Sequence, residues 1–400
     1  MSDTPCRTVD SPTIDGARTL VRQQLDTMPS RHGVLADNIG ATLAEPLCAA
    51  TTLPAADLAA MDGYAVAGDG PWVLRHDSQT AGHDLAAPLK SGEAIRIGTG
   101  ARVPAGSSMV VRDEHMVPIR VAGSAAVALL PDVPLRDDTR RRGENWCRGA
   151  ELVPAGSRVS LAVVSTATAA EAPQAAIRGR LRAGLIMTGD EIRADGELAI
   201  GQTRDSLGVV VPHYLQTLDI DCIRLSYVGD HQGETRNALA EHGDVDVVFV
   251  VGATRHGPAD YLRPALRQLS ANILIDGLQC RPGGTQLVAT LPGGPVIHCL
   301  PGNPFAALAA LLILAPAIVD ALTSRTPRRP RVAFIPDATD VAIPESARVL
   351  PATATTDGGW CVHRTIRTPH LAGLIGCDAL ALIPARNHAS QPIELIAIPA

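Results

Sequence analysis

The string Thr188-Gly189-Asp190-Glu191 follows directly on the apolar run 181–187. Glycine lets backbone approach a ligand closely, and two adjacent carboxylates can hold Mg2+ or position a water. The same residues would equally serve a capped helix start with surface acids. Leu300-Pro301-Gly302-Asn303-Pro304 is more specific. Gly302 and Asn303 make a tight turn, and Pro304 presets a helix whose free N–H groups would face an anion. An ordinary strand-to-helix turn is the plain alternative. Gly252-Ala253-Thr254-Arg255-His256-Gly257, with Asp260 beyond it, closes the apolar run 245–251 and suits a phosphate or pterin contact. Arg255 and His256 could equally be solvated. Arg281-Pro282-Gly283-Gly284 sets another cation beside a turn. Met61-Asp62-Gly63-Tyr64-Ala65, Gly98-Thr99-Gly100-Ala101 and Arg112-Asp113-Glu114 each read, taken singly, as turns.

Several chemistries fall away. No G-x-S-x-G, Walker A or G-x-G-x-x-G string is present, which removes hydrolase, P-loop and dinucleotide readings. The 12 histidines show neither H-E-x-x-H nor a nucleophile–His–Asp arrangement, and the 8 cysteines are scattered without C-x-x-C. A zinc or disulfide framework is therefore not indicated. A net charge of −6 and 2% aromatic residues argue against a nucleic-acid or anionic-membrane surface. Lys90 is the only lysine among 35 basic residues. Phosphate recognition would thus fall to arginine forks and backbone N–H groups. The longest apolar run, 305–319, contains Pro316 and falls short of the ~20 residues that span a bilayer, so it reads as a buried helix. The N-terminus lacks a signal pattern, and the chain reads as cytosolic.

The elements that must carry these strings can be placed coarsely. Four hundred residues predict two to four domains. A first helix, capped by Ser11 with Pro12 in its first turn, has Ile14, Ala17, Leu20, Val21 and Leu25 on one face. Residues 36–53 read as a second helix followed by an extended segment. Between 54 and 136, short β-like stretches (72–75, 94–97, 109–112, 127–130) alternate with Gly, Pro and Asp. Arg140-Arg141-Arg142, Gly143-Glu144-Asn145 and the segment 159–170 then read as a return to the helical layer, making the β-rich part an insertion. From 181 to 322, strands (181–187, 221–228, 245–251, 296–300) alternate with helices (from 205, 234–242, 259–269, from 304). That pattern predicts a parallel sheet covered on both faces, binding ligand beyond its carboxyl ends. The Pro-rich stretch 324–331 leads to a small β domain. The expected division is 7–53 plus 137–178, 54–136, 179–324 and 325–400.

In this order and spacing, five strings resemble the MoeA family, the molybdopterin molybdenumtransferases, also seen as the E domain of gephyrin-like proteins. They are Leu58-Ala59-Ala60-Met61-Asp62-Gly63-Tyr64-Ala65-Val66, Arg96-Ile97-Gly98-Thr99-Gly100-Ala101-Arg102-Val103-Pro104, Gly143-Glu144-Asn145, Thr188-Gly189-Asp190-Glu191 and Leu300-Pro301-Gly302-Asn303-Pro304. The resemblance spans about residues 12 to 320, and more loosely the rest. It implies an α/β multi-domain chain: an elongated four-domain subunit with a MogA-like parallel α/β domain, a β-rich inserted domain and a small C-terminal β-barrel. The implied reaction inserts molybdenum from molybdate into adenylylated molybdopterin and releases AMP, with Mg2+. A homodimer is implied, its cleft lying between the third domain of one subunit and the second domain of its partner. A molybdopterin adenylyltransferase is a further partner that could dock. Neither nucleic acid nor membrane is expected.

Carried over residue by residue, Asp62, Thr99, Glu191 and Asp230 would be catalytic, and Asp190 and Asp260 would bind metal. Substrate contacts would come from Gly63, Gly100 and Glu114 in the second domain. In the third they would come from Thr188, Gly189, Gly252, Thr254, Arg255, Gly257, Arg281, Pro301, Gly302 and Asn303. This chain departs from the family at several strings. Gly-Gly-x-Ser-x-Gly is replaced by Gly252-Ala253-Thr254-Arg255-His256-Gly257. Lys-Pro-Gly-Lys-Pro becomes Arg281-Pro282-Gly283-Gly284-Thr285, and Asp-Ser/Thr-Asn becomes Asp205-Ser206-Leu207. A Gly-Ser turn is replaced near Thr368-Pro369-His370. These substitutions motivate an alternative, a diverged paralogue that binds or carries molybdopterin without efficient insertion. A molybdopterin adenylyltransferase sharing only the third-domain fold is opposed by the long N-terminal half and the Asp62 string.

Overall fold

A computed structural model describes residues 11–231, 233–254, 261–387 and 391–399. The expected site residues Arg255, Gly257 and Asp260 lie outside the described residues. The α-helices among the described residues are α1 (Ile14–Gln24), α2 (Leu161–Ala169), α3 (Val211–Thr217), α4 (Glu234–Glu241), α5 (Leu262–Gln268) and α6 (Pro304–Thr323). Thr13, not Ser11, caps α1: its hydroxyl accepts the Gly16 N–H at 3.2 Å. Ile14, Ala17, Val21 and Leu25 are buried in a cluster that includes most of α6.

Of the second helix and following extended segment expected over 36–53, the helix does not form and the chain is extended. A single 3-10 turn (Leu35–Asn38) is followed by two-residue strands Thr42–Leu43 and Leu47–Cys48. Gly40, at φ +94°, lies just before them, and Pro46 removes a donor that a continuing helix would need. These strands pair with distant chain: Thr42–Leu43 with Gln174–Arg178, and Leu47–Cys48 with Glu151–Val153. Leu35, Leu43 and Leu47 close one small core with Val159, Val163, Ala167 and Ile177. Between these two arms runs a six-stranded sheet in the order Met109–Arg112, Gly63–Val66, Glu93–Ile97, Trp72–Gln79, Ser124–Leu129, Met116–Val121.

A second six-stranded sheet follows the order Ile220–Val228, Leu181–Thr188, Val247–Val251, Val296–Leu300, Leu287–Thr290, Asn272–Asp276. The first four are parallel, as expected. The last two are antiparallel, which the sequence reading missed. The link from Leu287–Thr290 to Val296–Leu300 is a tight turn, with Leu291 N–H bonded to Pro295 C=O at 3.3 Å. A connection that short can only make a hairpin, because a parallel neighbour needs a crossover. α1, α3 and α6 pack with one face, and α4 and α5 with the other. α6 has the length and hydropathy of a membrane span, but 89% of its apolar window is buried within the fold.

Where these layers meet, Asp219 receives bidentate hydrogen bonds from Arg158 (2.7 and 2.6 Å) and one from Arg325 (2.7 Å). Arg325 also donates to Thr42 Oγ1 and Gly40 C=O. One buried carboxylate thus ties the N-terminal arms, the α/β sheet and the chain after α6. The C-terminal strands pair in the order Cys280–Arg281, Ala347–Ala354, Ala379–Ile383, Ile393–Ala397, Arg331–Ala333, with Trp360–Val362 added on Ala347–Ala354.

Candidate functional site

The parallel strands end level with one another. Met187 aligns with Val251, and Val251 with Leu300. The loops that leave these ends surround a cleft of about 550 Å3. Two backbone features hold the loops together. The Thr188 hydroxyl donates to Val251 C=O at 3.0 Å, and the Gly252 N–H to Leu300 C=O at 2.9 Å. Gly252 sits at φ +100°, and a Cβ there would lie 2.3 Å from Thr188 Oγ1, so only glycine fits. Ala253 follows at φ +51°, left-handed backbone that alanine adopts at a cost. Pro301, Gly302, Asn303 and Thr254 complete this wall.

On the opposite side, Gly189 has φ +126°, and a Cβ would fall 2.5 Å from Glu191 Oε2. The glycine therefore lets the Glu191 carboxylate lie close to the loop backbone. Glu191 and Asp230 both line the cleft. Asp190 accepts the Asp230 N–H at 3.2 Å, and its side chain is 60% exposed. Thr188, Gly189, Glu191, Asp230, Gly252, Thr254, Pro301, Gly302 and Asn303 are thus brought together, with Asp190 bonded to their edge. Among the described residues, no three His, Cys, Asp or Glu side chains converge as a metal cage.

Asp62, Gly63, Thr99, Gly100 and Glu114 do not line this cleft. They lie on or beside the inserted sheet. There, Gly63 pairs with Ile97 and brings two distant strings together. Asp62 Oδ1 accepts both the Thr99 N–H at 2.7 Å and the Thr99 hydroxyl at 3.0 Å. These bonds, aided by the Arg96 charge, hold the Asp62 carboxyl below its usual range. Arg281 is also outside the cleft lining. It belongs to a two-residue strand paired with Ala347–Ala354. At Gly284, where the family pattern has lysine, a Cβ would sit 2.5 Å from Cys280 C=O and 2.7 Å from Leu278 C=O.

The sequence reading missed one wall. Thr203, Arg204, Asp205, Ser206 and Leu207 line the cleft because Thr203–Arg204 pairs in parallel with Ile192–Arg193. A two-residue ladder leaves no periodicity to detect; only the Asp205-Ser206-Leu207 string hinted at it. Asp205 fixes this wall by accepting Leu207 N–H (2.9 Å), Gly208 N–H (2.8 Å) and the Tyr227 hydroxyl (2.8 Å). Burial and that carboxylate push Tyr227 up to about 12. The start of α6 also offers less than expected: the Phe305 N–H is taken by Thr368 C=O at 3.1 Å. Pro369, from the same segment, reaches the cleft.

This architecture, a strand-end cleft on an α/β sheet joined to an inserted β-rich sheet, defines a multi-domain α/β ligand-binding class. A family model for the MoeA N-terminal region (domains I and II) matches residues 13–192, and one for a probable molybdopterin binding domain matches 184–320. The chain belongs to the MoeA family. It is 31% identical to a molybdopterin molybdenumtransferase of Nostoc sp. over 285 residues, 67% of this chain and 64% of that protein, just under two thirds of its length. With the molybdopterin molybdenumtransferase of Synechococcus elongatus it shares 28% over 376 residues, 88% and 91% of the two chains. The fold matches that of the molybdopterin biosynthesis MoeA protein of Pyrococcus horikosii, with a TM-score of 0.74 at 20% identity, covering 98% of this chain and 100% of that one.

Proposed function

We propose that this protein is a molybdopterin molybdenumtransferase, inserting molybdate-derived molybdenum into adenylylated molybdopterin with release of AMP. The observation that carries the reading is the convergence of Thr188, Gly189, Glu191, Asp230, Gly252–Thr254 and Pro301–Asn303 on one cleft, in a chain of this family. The cleft takes the substrate against glycine-rich backbone, while Glu191 and Asp230 face it as acceptors. Asp62, kept ionised by Thr99, would accept a proton or orient the attacking oxygen.

The carboxylate donors suit Mg2+. They are oxygen-only and partly exposed, and magnesium commonly takes one or two carboxylates plus substrate phosphates rather than a full protein cage. Asp190 and Asp260, the two residues expected to bind metal, would hold it, and we add Asp230, whose N–H donates to Asp190. When bound, the ion supplies charge neutralisation at the phosphates. Because Asp62, Thr99 and Glu114 lie off the cleft of their own chain, we propose a homodimer in which the partner brings them to it. A cytosolic location accords with the burial of α6.

The reading is tested by reconstitution. Purified protein, adenylylated molybdopterin, molybdate and Mg2+ should activate an apo-molybdoenzyme. Tight binding of the pterin without any activation would instead favour a carrier.

A further inference from the structure

We propose that Arg204 holds a tetrahedral oxyanion in the cleft and so positions substrate; this deepens the transferase reading and rests on it. The cleft has to accept a ligand of several negative charges. Among its described lining residues are the carboxylates Glu191, Asp205 and Asp230 and one cation, Arg204. Several other donors of the same loops are committed elsewhere. The Gly189 N–H goes to Val228 C=O at 3.1 Å, the Gly252 N–H to Leu300 C=O, and the Phe305 N–H to Thr368 C=O. The Thr188 hydroxyl goes to Val251 C=O. Arg281 lies outside the lining, and backbone oxygens crowd the position where a Gly284 side chain would begin.

Arg204 is free to act. Its guanidinium donates to the backbone carbonyls of Gly196 and Arg193, and among the described residues to no carboxylate. Those contacts and the ladder Arg193↔Arg204 fix its place without cancelling its charge. The neighbouring Asp205 is already occupied by two N–H groups and the Tyr227 hydroxyl. An unpaired guanidinium at a partly enclosed cleft offers a planar fork to two oxygens of a phosphate or of another tetrahedral oxyanion. In the proposed reaction that oxyanion is either a phosphate of the nucleotide-linked pterin or molybdate itself.

Calorimetric titration of pyrophosphate and, separately, of molybdate in magnesium-free buffer tests this without turnover. Wild type should bind at least one of them. Arg204→Ala should weaken that binding by at least about tenfold, and Arg204→Lys, which keeps charge but loses the fork, should weaken it less. Arg193→Ala, which removes the side chain of the residue paired with Arg204 on the ladder but outside the cleft lining and keeps its backbone carbonyl, should bind as wild type. Loss of pyrophosphate alone assigns the phosphate, loss of molybdate alone assigns the metal oxyanion, and loss of both assigns a shared position. No anion binding by wild type, equal binding by Arg204→Ala, or equal loss in Arg193→Ala overturns the proposal. Unchanged unfolding midpoints in Arg204→Ala and Arg204→Lys exclude misfolding as the cause. Failure of the transferase reading would appear separately, as wild-type protein that binds the anion yet releases no AMP.

Discussion

Asp62 and Thr99 are 37 positions apart, yet two hydrogen bonds from one residue converge on one carboxylate oxygen of the other. Each string alone reads as a turn, and their meeting depends on the pairing of Gly63–Val66 with Glu93–Ile97, which no local pattern announces. The resemblance to a family linked them; composition and periodicity did not. A carboxyl held below its usual range stays ionised through the acid side of neutrality. Thr99→Val removes one of the two bonds, so the acid limb of kcat/KM should move to higher pH. Asp62→Asn should cut turnover by roughly a hundredfold or more, the usual loss on removing a positioned acid–base group. Wild-type turnover in Asp62→Asn would remove this residue from the site. Arg204 was not legible at all, because its place in the cleft is set by a two-residue ladder rather than by its own surroundings in sequence.

Among the elements, those with strong period and clear stops were readable: α1, α6 and the four parallel strands ending at 188, 228, 251 and 300. Readability failed where tertiary pairing overrode local pattern. Residues 36–53 carry helix-compatible composition but pair with chain more than a hundred positions away. The two antiparallel strands go unassigned in the sequence because Asn272, Asp276 and Thr290 dilute their apolar pattern. The loop after Val247–Val251 turns on Gly252 at positive φ. Gly252→Ala forces a Cβ into contact with Thr188 at positive φ and should cost ~1–3 kcal/mol in urea unfolding. Ala253→Gly, at φ +51°, relieves left-handed strain and should leave stability within about 1 kcal/mol of wild type. If Gly252→Ala were as stable as wild type, the loop would have an alternative conformation open to it.

Across the whole molecule, the layers are joined through Asp219. Burial would raise its carboxyl, but hydrogen bonds from Arg158 and Arg325 outweigh that and hold it below its usual range. Its contribution is therefore full above the ordinary aspartate pKa of about 4 and lost as pH falls through the lower folded value. Asp219→Asn should destabilise by ~3 kcal/mol at neutral pH and flatten this part of the acid response. An unchanged unfolding midpoint would contradict the joint. The proposed cross-subunit site makes a second prediction. Equal mixing of Asp62→Asn and Asp190→Asn subunits, each nearly inactive, should restore about a quarter of wild-type activity, since half the dimers carry one intact cleft. No recovery after subunit exchange would count against a shared site.

The claim on which the rest depends is that this strand-end cleft performs the metal insertion. The most direct measurement is AMP release from adenylylated molybdopterin as molybdate is titrated, comparing wild type with Asp230→Asn of intact fold. Release should rise with molybdate in wild type and be nearly abolished in Asp230→Asn. Release that ignores molybdate, or that is the same in both proteins, would contradict it.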